Sequence, residues 1–78
     1  MSTTTDILEA VQGRLRAKAK NDTLEIVQIG DNLRLSMIIN ENTVGWVLPW
    51  EEEKGFLGSK IDELWTKAEN YLKKIGCL

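Results

Sequence analysis

Residues 23–48, TLEIVQIGDNLRLSMIINENTVGWVL, decide the fold. Apolar and polar side chains alternate along them with a period of two, the pattern of strands that bury one face. The runs 23–29, 33–40 and 43–48 are rich in Ile, Leu, Val and Thr, which suit a pleated, half-buried surface. Gly30-Asp31-Asn32 and Asn40-Glu41-Asn42 separate the runs, and these residue types tolerate the left-handed backbone of tight hairpins. With Asp31-Asn32 and Glu41-Asn42 as two-residue loops, the first pairing is Leu24–Ile39, Ile26–Met37 and Gln28–Leu35. The second is Val44–Ile39, Trp46–Met37 and Leu48–Leu35. Leu24, Ile26, Leu33, Leu35, Met37, Ile39, Val44, Trp46 and Leu48 then share one face, which a one-residue slip would scatter. The expectation is a three-stranded antiparallel meander.

Working outward, the period changes to that of a helix on both sides. Ile7, Leu8, Val11, Leu15 and Ala19 form one stripe, so a helix is expected over about 6–20, with Asp6 as N-cap and Glu9 completing a capping box. On the other side Leu48-Pro49 ends the third strand, because proline cannot donate to the ladder. An acidic loop over 49–58 follows. Ile61, Leu64, Trp65, Ala68, Leu72 and Ile75 then mark a helix over about 60–75. Ser59 is its expected N-cap, Glu63–Lys67 and Glu69–Lys73 are its i,i+4 pairs, and Gly76 closes it. The reading is a single α+β domain over residues 1–78, in the order α-β-β-β-α, with both helices packed on one face of the sheet.

Composition narrows the chemistry. The chain has 78 residues, 42% hydrophobic and 28% charged, with a formal charge of −2, ordinary values for a globular domain. It contains no histidine and a single cysteine, Cys77. That excludes an internal disulfide, the common zinc sites and a Ser-His-Asp arrangement. The acids fall in turns, a solvated loop and helix surfaces. The expectation is therefore no enzyme, no catalytic residue, no metal and no cofactor. The first residues lack a secretory pattern and no apolar run approaches a membrane span, so a cytoplasmic location is expected.

Four features bear on function. Trp50, Glu51, Glu52, Glu53 and Phe56 set three carboxylates between two aromatics, a combination suited to a protein partner with a basic rim around an apolar pocket. Arg14, Arg16, Lys18 and Lys20 crowd the end of the first helix, where cations already complement the helix dipole. Residues 23–53 carry one positive charge against six negative, which argues against a phosphate-binding footprint. The α-β-β-β-α order is also that of double-stranded-RNA-binding domains, whose second helix starts with a basic cluster. Here that place reads Gly58-Ser59-Lys60-Ile61-Asp62-Glu63, so only the element order is shared. Finally, Val27, Ile29, Ile38 and Val47 fall together on the sheet face turned away from the helices, rimmed by Glu25, Arg34 and Thr43. An apolar patch with a polar rim implies association.

These features lead to a small non-enzymatic protein–protein interaction module, homodimeric through the outer sheet face and binding an unidentified protein. The alternatives are a nucleic-acid-binding or regulatory domain using the basic end of helix 1, and an acidic inhibitor or nucleic-acid mimic of a mobile element.

Overall fold

The computed structural model describes residues 3–51 and 56–78. They form α1 (Thr4–Ala19), β1 (Glu25–Ile29), β2 (Asn32–Ile39), β3 (Asn42–Pro49) and α2 (Leu57–Lys74). The three strands make one antiparallel sheet in the order β1-β2-β3. The α+β class and the α-β-β-β-α order are as the alternation implies.

α1 starts earlier than its acidic signal suggests. Thr3, not Asp6, is the N-cap: the Asp6 N–H donates to Thr3 Oγ1 at 3.1 Å and the Thr3 N–H to Asp6 Oδ2 at 3.3 Å. The capping box is thus Thr3/Asp6, because a hydroxyl and a carboxylate three apart satisfy each other's backbone donors one turn upstream of Asp6/Glu9. The helix ends on Lys20, whose φ of 53° is left-handed. There the Lys20 N–H donates to Ala17 O and the Asn21 N–H to Arg16 O, closing two carbonyls that would otherwise lack donors.

The sheet forms in a register two residues from the expected one. Ile26 lies opposite Leu35, and Leu35 opposite Trp46. The hairpin loops are Gly30-Asp31 and Asn40-Glu41, one residue upstream of the expected pairs. The reason is backbone sign: φ is +57° at Gly30, and 51° and 70° at Asn40 and Glu41. Two-residue hairpins place such residues at their centres, with Gly and Asn favoured at the first position. Because side chains alternate with a period of two, a two-residue shift leaves every inner residue inside.

Two strand ends also differ. β1 begins at Glu25 rather than Thr23, since Thr23 meets β2 through its side chain: the Ile38 N–H donates to Thr23 Oγ1 at 2.8 Å. Asn21 Nδ2 donates to Ile38 O at 2.9 Å beside it. β3 continues through Pro49 to the Trp50 N–H, which donates to Asp31 O at 2.8 Å. Donors alternate along a strand, so Pro49 nitrogen points away from β2, where a missing N–H breaks no sheet bond.

α2 begins at Leu57, with Phe56 at the N-cap making no side-chain cap bond. Ser59 lies inside the first turn. Leu57 packs partly buried against the core, so apolar contact draws this turn into the helix ahead of the hydroxyl cap. At the other end Gly76 has φ +80°, with Gly76 N–H to Lys73 O and Cys77 N–H to Leu72 O. This is the double bond pattern of a glycine-terminated helix.

Both helices cover the same side of the sheet. α1 lies against β1, α2 over β2 and β3, and the two touch each other. Between them lie Leu8, Val11, Leu15, Leu24, Ile26, Leu33, Leu35, Met37, Trp50, Leu64, Ala68 and Leu72. Trp46 meets Tyr71 edge to face, with ring centroids 5.6 Å apart.

Candidate protein-binding surface

The side of the sheet without helices carries Glu25, Val27 and Ile29 from β1. β2 adds Asn32, Arg34, Ser36 and Ile38, and β3 adds Thr43, Gly45, Val47 and Pro49. The register sets their rows: Ile29–Asn32–Pro49, Val27–Arg34–Val47, Glu25–Ser36–Gly45, then Ile38–Thr43. Ile29 and Ile38 are each 49% exposed and Val47 is 55% exposed. The expected register put Val27 and Val47 either side of Ser36, with Ile38 in the next row. The observed one puts Arg34 between them and moves Ile38 two rows away, about 13 Å along the strand. Val27 and Ile29 remain neighbours on β1, Val47 faces Val27 across Arg34, and Ile38 is separated from all three.

Arg34 is the centre of this surface. Its side chain is partly buried between the two valines, and its Nε is shielded from solvent with no hydrogen-bond partner. Leaving such a donor unmet costs about 1–3 kcal/mol. Among the described residues Arg34 makes no ion pair, although Glu25 lies diagonally across from it. A shallow cleft of about 340 Å³ runs beside it, lined by Glu25, Arg34, Ser36, Ile38, Thr43 and Gly45 among others. The sequence shows Arg34 only as one rim residue, because its central place depends on register. Pro49 joins the patch for the same reason; read as a strand terminator, it has no face.

Of the loop expected to bind a partner, the structure describes Trp50, Glu51 and Phe56. Trp50 is 5% exposed and belongs to the core, so it is not a surface anchor. Val44, Trp46, Leu48 and Trp50 share one parity, and the strand keeps that parity through Pro49. Phe56 by contrast is 85% exposed. Glu51 is exposed, and Glu52 and Glu53 lie outside the described residues.

The basic end of α1 is divided as well. Arg16 Nε donates to Leu24 O at 2.8 Å, and Lys18 Nζ lies 6.0 Å from the centre of the Trp65 ring. Arg14, Lys18 and Lys20 are exposed. Among the described residues no group of His, Cys, Asp or Glu could hold a metal ion, and no helix is long and apolar enough to cross a membrane. Cys77 is a free, exposed thiol. Comparison with protein-family models, curated proteins and solved structures finds no significant match to this chain.

Proposed function

We propose that the protein is a non-enzymatic protein–protein interaction module that works as a homodimer through the bare face of its sheet. The observation that carries the reading is Arg34, whose shielded Nε has no acceptor in the middle of an exposed apolar patch. A half-buried guanidinium with no ion pair among the described residues favours a carboxylate brought by a partner to its exposed side. The same face bears one carboxylate, Glu25, next to this one guanidinium. A two-fold axis through the face brings each Glu25 to the other copy's Arg34, so the surface complements itself in charge. Val27, Ile29 and Val47 supply the apolar area around the pair. The nucleic-acid reading has the exposed Arg14, Lys18 and Lys20 for support, but the chain's formal charge of −2 weighs against it.

Sedimentation across the micromolar range tests the dimer. Val47→Lys should give a monomer, because it sets a second cation beside Arg34 in the contact. Ile38→Lys should weaken the dimer as well, because an axis that exchanges Glu25 with the other copy's Arg34 sets Ile38 against the other copy's Val47 side. A concentration-independent monomer mass for the wild-type chain would end the proposal.

A further inference from the structure

The two edges of the sheet are treated differently. Along the β1 edge two backbone groups pointing away from β2 find partners on α1: the Ile26 N–H donates to Gln12 Oε1 at 3.3 Å and, just before the strand, Leu24 O accepts from Arg16 Nε at 2.8 Å. That edge is partly blunted. On β3 the Trp50–Asp31 bond shows that even-numbered residues face β2, so Thr43, Gly45 and Val47 turn their N–H and C=O groups outward. No described residue bonds them. The strand is eight residues long, carries no charge and pairs without a bulge. Sheet edges are normally protected by charge, shortness or a bulge. Here only Pro49 limits the edge, at one end.

α2 supplies a charged border to this edge. Tyr71 touches Trp46 of β3, and Lys60 lines a cleft with Pro49 and Trp50. Lys67 and Lys74 follow Lys60 at intervals of seven, which puts all three in line with Tyr71 on the β3 side of the helix. Lys60 lies 3.7 Å from Glu63, and the expected Glu63–Lys67 pair is absent. Lys67 and Lys74 are exposed and have no ion pair among the described residues. The line of lysines is about 21 Å long, close to the roughly 23 Å of a seven-residue strand.

We propose that the free edge of β3 accepts an extended acidic peptide segment of a partner protein, added antiparallel as a fourth strand. This rests on the reading of the protein as an interaction module, but not on the dimer. The outward N–H and C=O groups of Thr43, Gly45 and Val47 hold the peptide main chain. Peptide residues that bond to them point their side chains to the bare face, continuing Thr43 and Val47, and apolar side chains suit that side. The alternate residues point to the α2 side, where carboxylates meet Lys60, Lys67 and Lys74.

A capped seven-residue peptide with glutamate at odd positions and valine at even positions is the probe. Amide spectra should show Thr43, Gly45 and Val47 shifting and gaining exchange protection on its addition. Replacing the glutamates with lysine should abolish binding, and Lys67→Gln with Lys74→Gln should weaken it about tenfold and flatten its salt dependence. N-methylation of the peptide's valines should abolish binding, while N-methylation of its glutamates should be tolerated. The proposal is overturned if both methylated peptides bind equally, or if the shifts fall on β1. It is also overturned if the three β3 amides are already protected without peptide, which would mean that a second copy occupies the edge. A monomeric wild-type chain that still binds the peptide would sink the dimer and leave this proposal standing.

Discussion

Trp50 shows how one residue's role turns on strand parity. At 5% exposure it fills the end of the core beyond Leu48, and removing a buried tryptophan side chain costs about 3–5 kcal/mol. A small core such as this one rarely supplies more than about 3–5 kcal/mol altogether. Trp50→Ala should therefore leave the chain largely unfolded in a denaturant titration, whereas Phe56→Ala, at a site 85% exposed, should shift stability by less than about 0.5 kcal/mol. Equal effects at the two aromatics would contradict the packing. Lys20 offers the opposite sign. Its left-handed backbone crowds a Cβ by about 1–2 kcal/mol, against roughly 0.5–1 kcal/mol of extra chain entropy for glycine. Lys20→Gly should raise stability by about 0.5–1 kcal/mol on the same titration.

At the scale of elements, caps and turns decide where each begins and ends. Thr3 closes a reciprocal cap on α1, while Ser59 lies within the first turn of α2. Thr3→Ala should cost about 1 kcal/mol, and Ser59→Ala less than about 0.5 kcal/mol. A larger loss at Ser59 would restore it as the helix start. In the second hairpin both Asn40 and Glu41 have positive φ, the geometry for which Asn-Gly is the favoured pair. Glu41→Gly should therefore stabilise the hairpin, and a lowered thermal midpoint would refute the observed register. The three strands, the two helices and the inner face were legible in the sequence because periods of two and of 3.6 survive a shift of two residues. Register was not, since Gly30-Asp31-Asn32 and Asn40-Glu41-Asn42 each offer two overlapping loops with good turn residues. Everything that depends on register, from the centrality of Arg34 to the isolation of Ile38, was hidden with it. Trp50 was misplaced for a related reason, because proline on an edge strand can keep the ladder going when its nitrogen faces outward.

Over the whole molecule, the bare sheet face and the small core bear on each other. A Cα radius of gyration of 12.3 Å encloses one layer of side chains between the sheet and two helices, and the other face of the sheet stays uncovered. If a second copy covers it, association and folding are linked, and stability rises with concentration. At a hundred times Kd the gain is about 2.7 kcal/mol per dimer, about half of it per protomer. For a domain of this size 1 kcal/mol moves Tm by about 4–8 °C. The wild-type midpoint should therefore rise by roughly 5–10 °C between dilution near Kd and a hundredfold excess over it. Val47→Lys should abolish that dependence while leaving the dilute midpoint close to that of the wild-type chain, because Val47 is exposed and removes nothing from the core. Ile38→Lys should reduce the dependence too, since the axis that exchanges Glu25 and Arg34 sets Ile38 against the other copy's Val47 side. If Ile38→Lys instead kept the full dependence, the contact would not be centred between Glu25 and Arg34, and their pairing across the axis would be ruled out.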